Sequence, residues 1–505
     1  ASAVFAQAAA PAPEALSEVI VKGQALRPED SVFSATSLDG VEIRDLARSN
    51  TDQLFREVPG MAVRDFQLAG VASAIVIRGF GNGGHGGDLG AVIDGISLNE
   101  AMSHADGYVD LNVVTPLEIE GFTVYKGPIS ALYGNFNRGG LVAIETRKTG
   151  TYREADAAVG SFGTVDLQAA LGTGIGDRQQ LNLAAQLFGS DGFRPQSQTR
   201  RGTLSGRYGV ELSPAVQLAL SGRYHHADSD SASYLLRSQF LVDRDGIDPR
   251  VQNDGADKDF LTVRGDVNVA LTPDLKLLTY VYTTQQDFTR WYTRPVSATT
   301  WRQREESYDR SVFGIGTSLN GERSVASTTL KYVAGVETLR ESTDYAFYDG
   351  LNRRQRVAAA LNDRDTRLDS LSAFAEIQAP LHPLAQLSAG LRADRFTGGC
   401  ERLGPETGSD PCDSLNDPKH VSPKFGMRSQ WAPWLQMRAS WAEGFALPNN
   451  FVKYSVGGQP LGENVFRQTE IGARIAPSDA FDLDIAAYRL LSTGEVRTVA
   501  PGQFE

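Results

Sequence analysis

The stretch IEGFTVYKGPISALYGNFNRGGLVAIETRK, residues 119–148, contains two short apolar runs separated by a segment that bends at both ends. Gly127 precedes a proline at the first bend and Gly139-Gly140 form the second, and glycine permits backbone conformations that other residues disfavour. Both flanking runs are rich in the β-branched and aromatic residues that favour strands. The stretch therefore predicts two strands of a small, sharply turned domain.

A helix and two further strands are predicted ahead of this stretch. LARSNTDQLFREVPG (residues 46–60) has a polar cap at Asn50-Thr51-Asp52, apolar residues after it and a Pro-Gly stop, the pattern of a short helix. AIVIRG (74–79) and GAVIDGISL (90–98) predict short strands bounded by glycine. Residues 17–148 together indicate a small α+β domain.

Beyond residue 150 the sequence changes to long strands in which apolar and polar residues alternate. In QLSAGLRADRF (386–396), Leu387 and Leu391 fall on one face, whereas Arg392 and Asp394 fall on the other. VQLALSGRY (216–224) and FDLDIAAY (481–488) repeat the scheme. Alternation alone fits a soluble sandwich as well as a barrel, because an antiparallel sheet of either kind has two unlike faces.

The turns decide between these architectures. Short turns alternate along the chain with long, polar, aromatic-bearing loops, and this asymmetry is typical of outer-membrane barrels. Residues 149–505 therefore predict an antiparallel transmembrane β-barrel. The predicted short turns lie near Gly176-Asp177, Ser213-Pro214, Thr272-Pro273-Asp274, Asn320-Gly321, His382-Pro383, Ala432-Pro433 and Pro477-Ser478.

Counting through the seven turns gives about fifteen strands. Single-chain bacterial barrels close with an even number of strands, and plugged transporters have about 22. We therefore expect the chain to be truncated, with roughly seven C-terminal strands missing.

Composition excludes other classes of protein. The net charge is −12 and no block of Lys or Arg stands out, which argues against a nucleic-acid partner. We find no run of about 18 apolar residues that could cross a bilayer as a helix.

The first residues and the cysteines indicate export. Residues 1–16 look like the end of a signal peptide, with an Ala6-Gln7-Ala8 cleavage site, followed by a Pro/Ala leader; a disordered N-terminus is the alternative. Cys400 and Cys412 lie in a predicted long loop. A disulfide between them implies an oxidising compartment, and two free thiols are the alternative.

Over essentially its whole length the sequence resembles TonB-dependent receptors. The resemblance implies an outer-membrane protein in which a small α+β plug fills an antiparallel barrel, and which imports a scarce nutrient with energy from TonB. It further implies a monomer surrounded by outer-membrane lipid, with ExbB and ExbD behind TonB in the inner membrane, and no enzymatic activity or cofactor. The matching stretches are LFREVPGMAVRDF (54–66), AIVIRGFG (74–81), AVIDGISL (91–98), residues 119–148, VSPKFGMRSQWAPWLQMRASWAEGFALPN (421–449) and FRQTEIGARIAPSDAFDLDIAAY (466–488).

The resemblance also implies where the TonB-interacting segment lies. SEVIVKG (17–23) occupies the position of the family's TonB box, so Ser17, Glu18, Val19, Ile20 and Val21 are the expected contacts. An extended apolar triplet on a flexible leader suits the addition of a strand to a partner's sheet edge. The alternative is an ordinary first strand of the plug.

Two plug loops are implied to face outward and to form the floor of the ligand site. They carry His85, Asp88, His104 and Asp106, which could bond a polar ligand or touch a metal. Solvated loop residues are the alternative. Five plug cations, namely Arg78, Lys126, Arg138, Arg147 and Lys148, are expected to pair with lumen carboxylates such as Asp394 or Asp484, the alternative being plain surface charge.

Two predicted outer loops have compositions that suggest binding. Residues 241–259 hold six aspartates, which could bind calcium, although a solvated loop is favoured because the spacing is not that of an EF-hand. Residues 288–310 combine arginine with aromatics, which suits an anionic or aryl-bearing ligand, although an interfacial aromatic girdle has the same composition. The predicted ligand contacts there are Arg290, Trp291, Tyr292, Arg294, Trp301 and Arg302.

The expected cargo is a ferric siderophore or other metal chelate, with cobalamin and oligosaccharides as alternatives in the same frame. Three other classes of protein remain open at this point. They are a signal-transducing receptor, a passive porin and an exported β-rich binding protein.

Overall fold

The computed structural model describes residues 32–64, 74–80, 89–103, 106–297, 299–325, 328–406, 411–448, 450–454, 463–478, 480–496, 498–500 and 503–504. His85, Asp88, His104 and the segment Ser17 to Val21 lie outside these residues. Within the described residues, the first domain, hereafter the plug, has two short α-helices, seven strands and three 3-10 turns. These are β1 (Ala35–Asp39), α1 (Gly40–Leu46), α2 (Thr51–Leu54), a 3-10 turn (Phe55–Glu57), β2 (Met61–Arg64), β3 (Ala74–Ile77), β4 (Leu89–Ile93), β5 (Ile96–Ser97), 3-10 turns (Leu111–Val113 and Pro116–Glu118), β6 (Ile119–Tyr125) and β7 (Gly140–Thr146).

The plug has a core of its own. Its main sheet has the order β1-β6-β7-β4-β5, and β2 and β3 form a separate hairpin. Asp39 caps α1 through a capping box with Glu42, which satisfies the free amides at the start of that helix. Phe55 and Phe122 meet edge to face in the core, with ring centroids 4.9 Å apart. The predicted helix at Thr51 and the predicted strands at 74–79, 119–127 and 141–148 are confirmed. The stretch 90–98, predicted as a single strand, instead forms the paired strands β4 and β5 around a turn at Asp94-Gly95.

The second domain is one large antiparallel sheet, hereafter the wall, in which every strand pairs with its neighbours along the chain. The fifteen strands agree with the number predicted from the turns. In the described residues β8 and β22 are the two edges of this sheet, so the expectation of further strands stays a prediction. The wall strands are β8 (Tyr152–Val159), β9 (Val165–Gly174), β10 (Gln179–Ser190), β11 (Thr199–Ser213), β12 (Val216–Asp230), β13 (Gly255–Thr272), β14 (Leu275–Pro295), β15 (Trp301–Val325), β16 (Thr328–Leu351), β17 (Asn362–His382), β18 (Ala385–Arg402), β19 (Lys419–Ala432), β20 (Leu435–Ala446), β21 (Asn464–Ser478) and β22 (Phe481–Thr493).

Alternation along each strand gives the wall an apolar outer face and a polar inner face that packs around the plug. On β18, Leu391 is 51% exposed whereas the next residue, Arg392, is 4% exposed. Arg392 also donates a hydrogen bond to the plug carbonyl of Leu132 (3.1 Å). Side chains of ionised residues therefore line the lumen, and the exposed apolar side chains form the lipid-facing band expected of a transmembrane barrel.

Six of the seven predicted short turns lie between consecutive wall strands, and the turn at Asn320-Gly321 is wrong. β15 continues through both residues to Val325, and Gly321 pairs with Tyr332 of β16. A Cβ atom on Gly321 would lie 2.5 Å from the Tyr332 ring. The glycine therefore makes room for an aromatic ring on the neighbouring strand. It does not form the hairpin turn that an Asn-Gly pair predicts.

The connections at the other ends of the strands hold three small elements. A short helix, α3 (Arg237–Phe240), and a 3-10 turn (Pro249–Val251) lie between β12 and β13, and another 3-10 turn (Asn450–Tyr454) follows β20. Strands β23 (Thr498–Ala500) and β24 (Gln503–Phe504) pair with each other after β22. No helix among the described residues is long and apolar enough to cross a membrane.

Candidate functional site

The plug loop that the sequence placed beneath the ligand, residues 99–110 (the apical loop), is organised by Asn99. The buried Asn99 side chain accepts a hydrogen bond from the Ala91 amide and donates to the carbonyls of Leu89 and Gly107, all at 2.9 Å. One amide thus ties the two described parts of the loop, residues 99–103 and 106–110, to β4.

The Asn99 amide provides a direct test of this organisation. An aspartate at this position keeps the acceptor but loses both donors, which leaves two buried carbonyls facing a carboxylate. Asn99→Asp should destabilise the apical loop by about 1–3 kcal/mol for each unsatisfied group. Hydrogen exchange of the loop amides should rise accordingly, whereas the same change at the exposed Asn352 should leave the exchange unaltered. Equal exchange in both variants would contradict the assignment.

Glu341 of β16 provides the first contact between the wall and the apical loop. Its carboxylate accepts hydrogen bonds from the amides of Ala101 (2.8 Å) and Met102 (3.3 Å) and from Arg310 (2.9 Å). Arg310 also donates to the Asn99 carbonyl (3.2 Å). The glutamate and the arginine are both about 4% exposed, so this contact is shielded from water.

A second contact between the wall and the apical loop comes from Lys258 of β13. Its ammonium lies 3.2 Å from an Asp110 carboxylate oxygen and 3.6 Å from Glu100. Gln286 of β14 donates to the same Glu100 carboxylate (2.9 Å). The apical loop is therefore held between β13–β14 and β15–β16 by charged groups that are almost fully buried.

A third contact comes from an outer connection of the wall. The 3-10 turn Asn450–Tyr454, between β20 and β21, folds into the lumen and places the Lys453 ammonium on the carboxylate of Asp106. Asp106 and Lys453 are each 2% exposed at the side chain. Asp106, one of the predicted floor residues, is therefore buried under the protein's own outer segment.

Aromatic side chains line the lumen above the apical loop; we call them the aromatic cluster. Phe288, Tyr308 and Tyr345 form a row across β14, β15 and β16. The ring centroids of Phe288 and Tyr308 are 6.2 Å apart, and those of Tyr308 and Tyr345 are 5.1 Å apart. The Phe451 ring of the lumen-facing turn lies 5.3 Å from that of Tyr345. Further buried members include Tyr108, Phe136, Phe396, Phe445 and Tyr454. The cluster offers ring faces and edges that suit an aryl group or a cation.

The prediction of a long loop at residues 288–310 is wrong, because β14 extends to Pro295 and β15 begins at Trp301. Strand alternation then separates the predicted ligand contacts. Arg290 and Tyr292 share the face of the aromatic cluster, and both bond the carboxylate of Glu306, at 2.6 and 3.0 Å. Arg294 and Arg302 fall on the same face by register.

The two tryptophans of that segment fall on the opposite face. The Trp291 ring donates to Glu305 (2.8 Å) and lies under Arg354, 4.8 Å away. The Trp301 ring lies 3.8 Å from the guanidinium of Arg250, which belongs to the connection between β12 and β13. Outer connections cover both rings, so in this structure the tryptophans anchor loops away from the aromatic cluster.

The mouth of the lumen is rich in guanidinium groups. Arg302 and Arg304 lie beside Asp349 at 3.5 and 3.1 Å. Arg364 and Arg402 share Glu406 at 2.6 and 2.8 Å. With Arg290 and Arg294, six arginines among the described residues of the mouth are accompanied by three carboxylates. Glu306 and Asp349 lie on the lumen-facing strand faces, and Glu406 lies in the connection after β18.

The base of the plug is joined to the wall by a buried ion pair. Arg78, directly after β3, lies 2.7 Å from Glu470 of β21, and both side chains are at most 7% exposed. Arg438 of β20 approaches the same carboxylate at 3.5 Å and donates to Ser34 of the plug at 2.8 Å. Arg78 also donates to the Lys126 carbonyl at 2.9 Å.

The predicted pairing of plug cations with wall carboxylates is only partly right. Arg78 and Arg147 pair with wall residues Glu470 and Glu154, but Lys148 pairs with Asp94 of the plug, and Arg138 lies over the Phe466 ring. The two carboxylates that we named, Asp394 and Asp484, pair instead with the wall arginines Arg392 and Arg438.

The aspartate-rich segment 241–259 is used for local structure. Asp248 caps the 3-10 turn and bonds Arg250, and Asp254 accepts from Thr293 at 2.6 and 2.7 Å. In the described part of the chain no three His, Cys, Asp or Glu side chains converge to hold a metal ion. Cys400 and Cys412 form a disulfide.

A cleft with about 890 Å³ of empty space, part of it open to solvent, lies between the plug and strands β14–β18 next to the aromatic cluster. Its lining includes Tyr282, Glu337, Arg392, Ser372 and Asn137. Polar and apolar groups both face this space, which borders the contact between Glu341 and Ala101 of the apical loop.

Sequence reasoning missed the wall residues that hold the apical loop. Glu341, Arg310, Lys258 and Lys453 all lie far along the chain from the plug residues they touch. Alternation would have placed the first three on the polar face of their strands. It gives no information on which plug residue each one meets.

Two family models match this chain. The TonB-dependent Receptor Plug Domain covers residues 27–141, and the TonB dependent receptor-like β-barrel covers residues 238–502. A vitamin B12 transporter from Vibrio vulnificus (strain YJ016) is 23% identical over 478 residues, which is 91% of this chain and 67% of that protein.

Solved structures have the same fold. The ferric citrate transporter FecA in its unliganded form superposes with a TM-score of 0.78 at 14% identity, covering 93% of this chain and 72% of that one. The siderophore receptor PiuA from Acinetobacter baumannii gives 0.74 at 16% identity, with 91% and 72% covered. The copper transporter OprC gives 0.74 at 16% identity, with 95% and 74% covered.

Proposed function

Because the chain belongs to the TonB-dependent receptor family of outer-membrane transporters and receptors, we propose that it imports a nutrient from outside the cell. The proposed nutrient is an anionic metal chelate, preferably a ferric siderophore. The energy for import is proposed to arrive through TonB, backed by ExbB and ExbD in the inner membrane. The receptor acts as a monomer in this proposal, with residues 17–148 as the plug and 149–505 as the barrel. No step of import requires enzymatic chemistry.

The lumen mouth carries the main support for an anionic cargo. The whole chain has a net charge of −12, yet six arginines accompany three carboxylates among the described residues above the plug. Such a local surplus attracts anions and raises their concentration at the mouth. Guanidinium groups also bind carboxylate and similar oxyanions in a bidentate manner, and the aromatic cluster below them suits the aryl groups of many chelators.

The contacts of the plug supply a route from cargo to TonB. The apical loop is fixed by Glu341, Lys258 and Lys453, while the base of the plug is fixed by Arg78. A cargo that competes for the apical contacts changes the free energy of the plug in its closed position. Exposure of the TonB-interacting segment, proposed as Ser17 to Val21, is then coupled to binding.

Cobalamin is the second candidate, because the curated relative aligned over 91% of this chain is named a vitamin B12 transporter. The single phosphodiester of cobalamin is balanced by its cobalt centre, so cobalamin has no net negative charge, whereas the proposed chelate is an anion. A requirement for the arginines at the mouth therefore separates the two candidates. A passive porin is disfavoured because the plug fills the lumen with buried ion pairs on both sides.

Uptake by whole cells tests the proposed cargo. Cells expressing the full-length receptor should accumulate a labelled ferric siderophore above receptor-free cells, and should not accumulate labelled cobalamin or an oligosaccharide. Replacing Arg290 by glutamine should reduce that uptake about tenfold, because a charge-assisted bond to the chelate is lost. Uptake of cobalamin alone, unchanged by Arg290→Gln, would overturn the anionic-chelate assignment.

A further inference from the structure

Arg364 of β17 is fully buried at the lumen mouth and binds a carboxylate in a bidentate manner. Its Nε and Nη2 atoms donate to the two oxygens of Glu406, both at 2.6 Å. Arg402 of β18 donates to the same carboxylate at 2.8 Å. The Glu406 carboxylate is therefore enclosed by two guanidinium groups on the lumen-facing side of the strands.

Glu406 reaches this position from an outer loop that is fastened at its base. It belongs to the connection between β18 and β19, where the Cys400–Cys412 disulfide closes the loop. Arg364 and Arg402 donate to the carbonyls of Pro411 (3.5 Å) and Cys412 (3.3 Å). These bonds hold Glu406, Pro411 and Cys412, which belong to the described parts of the loop, against Arg364 and Arg402.

A second outer segment covers the other side of the same guanidinium. The Phe451 ring centroid lies 4.0 Å from the Arg364 Cζ atom, and two residues later Lys453 binds Asp106 of the apical loop. Two outer connections thus converge on Arg364, one with a carboxylate and one with an aromatic ring. The second of them also touches the plug.

This arrangement is costly if its only purpose is to hold the fold. Burying a guanidinium and a carboxylate removes both from water, and an apolar pair of similar volume is often at least as stable. The planar fork of arginine is, however, well suited to recognise a carboxylate. Burial opposes ionisation of Glu406, but hydrogen bonds from Arg364 and Arg402 outweigh it and hold the pKa of the carboxyl below its usual range.

We propose that Arg364 is an anion-recognition residue whose site is filled in this structure by Glu406, and that a ligand carboxylate binds there by exchange with Glu406. The inference rests on the proposed import of an anionic cargo. Exchange frees Glu406 from Arg364 and Arg402, so the ligand carboxylate replaces one of the two groups that pack on Arg364. The Phe451 segment, with its contact to Asp106, then carries the change to the apical loop.

Citrate binding to the purified full chain tests this exchange without TonB, so its outcome is independent of the uptake experiment. The probe is citrate alone, a compact tricarboxylate, measured by calorimetric titration. Glu406→Gln removes the competing charge and should tighten citrate binding at least about tenfold relative to the wild type. Adding Arg364→Gln in the same background should abolish the gain.

Two further variants keep the test decisive. Glu322→Gln removes the same charge from an exposed ion pair with Lys331, far from the mouth, and should leave citrate binding unchanged. If Arg364→Gln does not fold, Arg402→Gln in the Glu406→Gln background should also reduce the gain, since Arg402 is 43% exposed. Citrate binding by Glu406→Gln that is no tighter than by the wild type, or a gain that survives loss of both arginines, overturns the proposal.

Discussion

Replacing Glu470 by alanine should loosen the base of the plug more than any other single change to the wall that we consider. The substitution leaves Arg78 of the plug and Arg438 of the wall without their shared buried carboxylate. Removing one partner of a buried pair costs about 3–5 kcal/mol. Amide hydrogen exchange in the plug strands next to Arg78 should therefore accelerate by about a hundredfold or more.

Mass spectrometry of the intact, detergent-solubilised receptor provides this measurement. Glu322→Ala is the matched control, because it removes a carboxylate that is half exposed and pairs with Lys331 on the neighbouring strand. Surface pairs of this kind contribute at most about 1 kcal/mol. Plug peptides of Glu470→Ala that exchange at the rate of the control would show that this ion pair does not hold the plug.

Proline at position 20 should abolish energised uptake. Ile20 lies in the segment Ser17 to Val21, which we propose adds a strand to the sheet edge of TonB. Proline lacks the amide donor that such pairing uses. Uptake by Ile20→Pro should therefore fall to the level of cells that lack TonB, while binding of the cargo at the cell surface stays unchanged.

The matched control is Ala12→Pro, which places the same residue in the preceding Pro/Ala leader. That variant should transport as well as the wild type. Normal uptake by Ile20→Pro would move the TonB contact out of this segment. Loss of both binding and uptake would instead indicate that residues 17–21 form part of the plug fold, which is the alternative that the sequence leaves open.

Local patterns were sufficient to predict most of the fold. The two-residue period of VQLALSGRY and its relatives depends only on one face being buried, so it identifies strands without knowledge of their partners. Six of the seven short turns were placed correctly because Gly, Pro, Asn and Asp favour turns through their own backbone preferences. The turn predicted at Asn320-Gly321 is wrong because glycine is needed there for another reason. The Tyr332 ring on the next strand occupies the space that a side chain at position 321 would fill.

The candidate site was harder to predict, because its residues are brought together from distant parts of the chain. Lys453 and Asp106 are separated by 347 positions, and Glu341 and Ala101 by 240. No pattern within one strand specifies such a pair. The arginine-rich and aromatic composition of residues 288–310 did indicate a polar mouth, but an assumed loop concealed the alternation that divides Arg290 from Trp291.

The central claim is that cargo binding above the plug is coupled to energy from TonB, and one experiment tests it most directly. Uptake of the labelled ferric siderophore is measured in four strains, with and without this receptor and with TonB present or deleted. The account predicts accumulation only when the receptor and TonB are both present. Accumulation through the receptor at the same rate without TonB would contradict energised import and indicate a passive pore.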